Sequence, residues 1–237
     1  MSITDASSVF LNERELRSLE IGGFLVWEAS SLTVRSCAVG SEVYIEETPG
    51  VYAPYIVIAH GHHGDNLSTL IRKYASSTNT RFHFSAPAQD YANKFDGSTL
   101  ELTHTQMFDD MPTATQEKIA QVAVPTRSSA MGNYTIDGVA ARLFPLSEME
   151  FSGGGVAEGS HIPYFDSNAK RVAYSDTGTA RATWTRTITG GMPNYARQVS
   201  ASGSIGNQLA TSSVYIRPAL CLPFDTKVTD VGGKLQI

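Results

Sequence analysis

The last third of the chain constrains its fold most. Three runs that begin at Thr183, Tyr195 and Tyr215 carry β-branched, aromatic and apolar residues, and loops of Gly, Ser, Asn and Thr separate them. Short runs of this kind bounded by turn residues predict β-strands. The chain must therefore complete a sheet near its end, and no residue pattern in these runs is typical of catalysis.

The same segment has the composition of a binding surface. Rigid aromatic rings stand among adaptable polar side chains, as they do in antibody paratopes. Trp184 fits a core position equally well, because a strand tryptophan commonly packs inward. We predict ligand binding by six residues: Trp184, Tyr195, Arg197, Asn207, Gln208 and Tyr215.

Several short motifs occur in a fixed order along residues 43–230. They are aromatic-x-Arg at 184–186, Ser-Gly-Ser at 202–204, hydrophobic-Arg-Pro-Ala-Leu at 216–220 and, upstream, the segments 118–125, 141–150, 162–165 and 170–174. In this order they resemble a family of phage and prophage tail-associated proteins. The C-terminal domain of that family is similar to the C-type-lectin-like fold of phage receptor-binding proteins. Thr185 and Thr187-Ile188 depart from the family pattern of Leu and Ser-Pro at these positions.

The resemblance implies an α+β protein with a C-type-lectin-like domain over residues 30–237. It implies a virion structural protein, such as a tail-fibre tip, a head fibre or a decoration subunit, that binds a bacterial surface receptor. A homo-oligomer is expected, preferably a trimer, because weak single sites on fibres gain from avidity. A purely architectural subunit is the alternative. An enzyme on the same fold, like the formylglycine-generating enzymes, is the third reading, but the paired redox cysteines of that chemistry are missing from the C-terminal region.

Residues 1–29 differ from the rest and are expected to form an attachment or oligomerisation segment that contacts other virion proteins. Asn12–Glu20 is charged and predicts a short helical turn, and Ile21–Glu28 predicts a strand. So short a segment cannot bury Phe24, Val26 and Trp27 alone. Their neighbour is the main domain, a second copy or the particle.

Three further elements are expected in the first half. Glu42–Glu47 and Tyr52–Ala59 flank Pro49-Gly50 and predict a hairpin. Leu67–Ser76 predicts a helix with one apolar face. A second helix is expected to open at Thr113, with that residue as its cap, and to run into a strand at Val122.

Composition excludes some partners. The net charge is −5 and no Lys or Arg residues cluster in a run, so binding to nucleic acid is not expected. No apolar run approaches the roughly 20 residues that span a bilayer, and the first 20 residues lack an apolar core, so we expect neither membrane insertion nor a signal peptide. Cys37 and Cys221 are either two buried small side chains or a disulfide that joins the ends of the domain.

The segment His60-Gly61-His62-His63-Gly64 is the most suggestive of metal binding. A tight loop does not easily aim three imidazoles at one tetrahedral centre, and Asp65 adds only a hard oxygen. The sequence therefore predicts a solvated loop, no metal site and no cofactor. The resemblance to C-type lectins raises the question of calcium, which those proteins often bind through Glu-Pro-Asn or Gln-Pro-Asp triplets. Calcium is not expected here, since Met192-Pro193-Asn194 lacks an acidic residue before the proline.

Catalytic patterns are weak. There is no Gly-x-Ser-x-Gly motif, and the single histidines His83, His104 and His161 have no local acidic partner at a diagnostic spacing. The acid pairs Asp109-Asp110 and Glu148/Glu150 are interpreted as solvated carboxylates rather than a glycosidase pair. Arg186 and Arg217 are expected to have structural roles in polar networks.

Overall fold

The computed structural model describes residues 32–83 and 94–237 in full, together with the backbone of four short strands between residues 9 and 28. The described residues contain both helices and strands, as the α+β expectation requires, and strands predominate, so the fold is β-rich. None of the described helices is long and apolar enough to cross a membrane.

The elements follow one another in a simple order. The strands are β1 (Val9–Leu11), β2 (Arg14–Leu16), β3 (Ser18–Ile21), β4 (Phe24–Glu28), β5 (Glu42–Thr48), β6 (Val51–His60), β7 (Leu67–Arg72), β8 (Asn79–Thr80), β9 (Val122–Arg127), β10 (Ile136–Ala141), β11 (Leu143–Phe144), β12 (Ala173–Tyr174), β13 (Ala180–Arg181), β14 (Thr183–Ile188), β15 (Tyr195–Val199), β16 (Ile205–Leu209), β17 (Val214–Tyr215), β18 (Ala219–Pro223), β19 (Thr229–Val231) and β20 (Lys234–Gln236). The helices are α1 (Thr99–Asp109), α2 (Thr113–Gln116), α3 (Glu148–Ser152) and α4 (Asn168–Arg171).

The larger sheet combines strands from both ends of the chain. Its order is β11-β18-β7-β6-β5-β20-β19, and all neighbours are antiparallel except β20 and β5. The expected hairpin is confirmed as β5 and β6, with Gly50 at φ +77° in its turn. The expectation that the chain completes a sheet near its end is also confirmed, because β18 lies beside β7 from the first half of the chain.

Both faces of the larger sheet are covered, which explains one wrong prediction. Leu70 of β7 and Leu220 of β18 pack into one hydrophobic cluster. The next residues along the two strands, Ile71 and Cys221, pack into the other cluster. A strand buried on both faces is apolar in consecutive positions rather than alternate ones. The helix predicted over Leu67–Ser76 is therefore wrong, and β7 occupies its first six residues.

The smaller sheet has the order β16-β15-β14-β17-β8, with β14 parallel to β17. All six residues of β14 are buried, and Trp184 and Ile188 share a hydrophobic cluster with Ile58 and Ile71 of the larger sheet. This shared core fixes the C-terminal strands against the first half of the chain.

The N-terminal strands differ in part from expectation. β4 agrees with the predicted strand, but β2 and β3 stand where a helical turn over Asn12–Glu20 was predicted, so that prediction is wrong. The backbone pairs β1 with β2 and β3 with β4. The side chains of Phe24, Val26 and Trp27 lie outside the described residues, and the attachment role stays a prediction.

The helices are short and lie in the middle of the chain. α1 begins at the cap Ser98, whose hydroxyl accepts from the Glu101 amide at 3.0 Å. α2 opens at Thr113 as expected, but Pro112 is its cap, so the capping role given to Thr113 is wrong. Both cysteines are free and buried in the described residues, Cys37 in one cluster and Cys221 in the other.

Candidate functional site

Glu150 lies at the centre of a buried polar network. Ser147 caps α3, and the Ser-x-x-Glu spacing closes a capping box in which the Ser147 amide donates to Glu150 Oε2 at 2.8 Å. This geometry turns the carboxylate into the protein, where it has no solvent exposure. The interpretation of Glu148 and Glu150 as solvated carboxylates is therefore wrong, because both are buried on a helix.

Arg186 of β14 is the partner of Glu150. Its Nη1 and Nη2 donate to the two carboxylate oxygens at 2.6 and 2.8 Å, and both side chains are fully buried. The remaining donors reach the carbonyls of Pro125, Pro145 and Glu158 at 2.8–3.1 Å. Every N–H of the guanidinium is thus used, which confirms the structural role expected for Arg186.

The environment keeps Glu150 ionised. Burial alone would raise the pKa of this carboxyl, but the charge of Arg186 and the donors around it hold the pKa well below its usual range. Glu158 behaves in the opposite way, because burial raises its pKa more than Arg186 lowers it. Its two oxygens accept from the Arg127 amide and from the Thr187 hydroxyl.

Two histidines complete this centre from the loop between β6 and β7. His63 Nε2 lies 3.0 Å and His62 Nε2 3.5 Å from Glu150 Oε1. The rings are 11% and 3% exposed for His62 and His63, so the prediction of a solvated loop is wrong for this pair. Burial lowers the pKa of His63 despite its contact with Glu150.

The third histidine of this segment, at the end of β6, is separate. His60 contacts Ser68 Oγ through Nδ1 at 2.8 Å and the Cys37 carbonyl through Nε2 at 3.0 Å. A cleft of about 270 Å³ opens above the other two, lined by His62, His63, Ala123, Pro125, Glu150, Gly159 and Ser160. Sequence reasoning missed this cluster because Glu150 lies 87 residues from His63, although the capping box at Ser147 is a readable signal.

Three of the six predicted binding residues share the outer face of the smaller sheet. Residues directly opposite each other on paired strands point to the same face, and Arg197 lies opposite Asn207 while Tyr195 lies opposite Leu209. Arg197 Nη1 donates to Asn207 Oδ1 at 2.5 Å, and its other donors bind both oxygens of Glu148 at 2.8 and 2.5 Å. This group, the outer-face cluster, consists of Tyr195, Arg197, Asn207 and Leu209.

The other three predicted residues lie elsewhere. Trp184 is 1% exposed and donates from its ring nitrogen to the Thr80 carbonyl at 2.8 Å, so its assignment as a contact residue is corrected to a core role. Gln208 is offset by one residue from Asn207 and lies on the opposite face, opposite Ala196. Tyr215 borders a separate cleft of about 300 Å³ with Arg181 over its ring at 4.8 Å. The six residues therefore do not form one surface.

Comparisons with known proteins give one match. A family model described as a domain of unknown function, DUF6273, matches residues 68–224, about two thirds of the chain. The searches of characterised proteins and of solved structures each returned no match. The matched range contains Glu150, Arg186, the cleft at Tyr215 and the outer-face cluster, whereas His62 and His63 precede it.

Proposed function

The chain belongs to the DUF6273 family of domains of unknown function, and we propose, from the geometry and from the motif resemblance, that it is a virion structural protein of a phage or prophage that binds a receptor on the bacterial surface. In this proposal the protein is not an enzyme. It is a tail-fibre tip, head fibre or decoration subunit, it has a C-type-lectin-like fold, and it acts as a homo-oligomer.

The outer-face cluster is the observation that carries the proposal. It combines a tyrosine ring, an exposed leucine and a guanidinium beside an amide on adjacent strands. Glu148 accepts two hydrogen bonds from Arg197, so the guanidinium is oriented before a ligand arrives. Binding then costs less conformational entropy, which favours recognition by a surface of this kind.

The rigid support beneath this face is consistent with display of a binding surface. β14 is wholly buried, and Arg186 ties it through one donated hydrogen bond to β9 and through four to the segment around α3. Binding residues are commonly placed at the edge of such a scaffold. The loops at Met192 and Ser202, which flank β15 and β16, are exposed and border the face.

The proposal has a direct test in two parts. Particles induced from the strain that encodes the chain are purified by density gradient, and the protein is identified by mass spectrometry in the particle fraction. Purified labelled protein is then bound to intact cells of related strains. Tyr195→Ala with Asn207→Ala should weaken cell binding by about 2 kcal/mol or more, the size of a binding hot spot.

The matched control is Tyr52→Ala, which removes an exposed tyrosine from the larger sheet. It should leave both particle association and cell binding unchanged. If the folded double variant joins particles and binds cells as the wild type does, the architectural alternative is favoured. Absence of the protein from purified particles would contradict the virion assignment itself.

A further inference from the structure

The cleft above Glu150 presents two imidazole nitrogens to one carboxylate oxygen. The candidate ligand atoms of His62, His63 and Glu150 all lie within 4.8 Å of one another. The three residues line a cleft of about 270 Å³ that reaches the surface near Gly159 and Ser160. The nitrogens therefore converge on a point that a small molecule or ion can reach.

Hydrogen bonding alone does not account for this convergence. Glu150 Oε2 accepts from Arg186 Nη1 and from the Ser147 amide, and Oε1 accepts from Arg186 Nη2. One lone pair of Oε1 then remains for two imidazole nitrogens. His63 at 3.0 Å takes it, and His62 at 3.5 Å is left beside a group that is already satisfied.

A divalent cation would engage all three atoms at once. Zinc binds histidine nitrogen at about 2.0–2.1 Å and carboxylate oxygen at about 2.0–2.2 Å in tetrahedral geometry, which places neighbouring ligand atoms roughly 3.3 Å apart. The two nitrogen-to-oxygen distances, 3.0 and 3.5 Å, lie on either side of that value, whereas the 4.8 Å spread of the whole group must shorten when an ion binds. We propose that His62, His63 and Glu150 form a binding site for a zinc-type divalent metal ion, with a fourth position open to the cleft.

The surroundings of His63 suit a ligand. Its Nδ1 lies 3.0 Å from Thr69 Oγ1. Donation of the Nδ1 proton to that hydroxyl leaves the lone pair on Nε2, the atom that faces Glu150. Metal-binding histidines are commonly oriented by such a bond from the other ring nitrogen.

The donor set also defines the class of ion. Two imidazoles and one carboxylate suit zinc and similar transition metals, whereas calcium and magnesium prefer oxygen ligands. Arg186 shares the carboxylate and repels a cation, so this site is expected to bind less tightly than a closed structural zinc site. Arg186 also fixes the orientation of Glu150, since it holds both oxygens.

The test uses the full chain after treatment with a chelator. Isothermal titration with Zn²⁺ should show one ion per chain, and titration with Mg²⁺ should show none. Bound Co²⁺ should give the intense visible absorption of a tetrahedral site. His62→Ala should weaken Zn²⁺ binding roughly tenfold or more, because even outer-sphere partners of metal ligands contribute about 10–100-fold.

His60→Ala is the control from the same His-rich segment, because His60 contacts Ser68 and Cys37 instead of Glu150. It should bind Zn²⁺ with the wild-type affinity. Thermal melting of each variant without metal verifies folding, and His63→Gln provides a second ligand variant if His62→Ala fails to fold. Undetectable Zn²⁺ binding, or binding that both ligand variants retain unchanged, would overturn the proposal.

Discussion

The strongest energetic prediction compares two arginine–glutamate pairs that differ mainly in burial. Arg186→Met removes one partner of a pair with no exposure and leaves Glu150 charged and buried. Loss of one partner from a buried pair costs about 3–5 kcal/mol, a large part of the roughly 5–15 kcal/mol that stabilises a typical domain. Arg197→Met breaks a similarly bidentate pair, but Arg197 is 27% exposed. Its cost should stay within about 1 kcal/mol, as for solvent-accessible pairs.

Urea denaturation followed by tryptophan fluorescence and circular dichroism measures both variants. With a slope of about 1–3 kcal/mol per molar urea, Arg186→Met should lower the midpoint by roughly 1 M or more, and Arg197→Met should change it little. The double variant Glu150→Gln with Arg186→Met removes the unpaired charge and should be less destabilised than the sum of the single variants. Equal losses for Arg186→Met and Arg197→Met would refute the argument that burial sets the cost.

Three further predictions concern pH, backbone geometry and thiol reactivity. Burial lowers the pKa of His104 from 6.5 to about 4, so the neutral ring contributes its full stabilisation above pH 6.5 and loses it as the pH falls towards 4. This loss should lower the free energy of unfolding by about 3 kcal/mol between pH 7 and pH 4. The same comparison on His104→Leu should lack this loss. Gly203→Ala should lower the melting temperature far more than Gly178→Ala. Both glycines have φ near +82°, but only at Gly203 would the new Cβ lie 2.0 Å from a backbone oxygen. Equal shifts in melting temperature would show that the backbone relaxes around the new methyl group. Burial raises the pKa of both cysteine thiols, to about 12 for Cys221. Neither Cys37 nor Cys221 should therefore react with iodoacetamide until urea unfolds the chain. Mass spectrometry of the labelled protein measures this.

Short sequence patterns predicted the elements that depend only on neighbouring residues. The hairpin around Pro49-Gly50 and the strands at Thr183 and Tyr195 have turn residues at their ends and strand-forming residues between them. Arg186 and Arg217 were expected in structural networks. Arg217 is buried and donates to the carbonyls of Arg72, Lys73 and Arg171, as expected.

Features that depend on distant parts of the chain were not readable. β7 is apolar in consecutive positions because two separate clusters cover its faces, and such a run is easily taken for a helix. The contact of His62 and His63 with Glu150 exists only because the sheet brings the two segments together. The face of Gln208 depends on the register of β15 and β16, which composition does not encode.

The order of strands in the larger sheet has a consequence for biosynthesis. β5, β6 and β7 are synthesised early and pair with one another, but β7 gains its second neighbour only with β18 and β5 only with β20, where Gln236 lies opposite Tyr44. Until β18 is synthesised, a nascent chain therefore holds a three-stranded sheet with two open edges and with apolar side chains on both faces. Such edges promote aggregation, so translation products that stop before β18 should depend on chaperones to stay in solution.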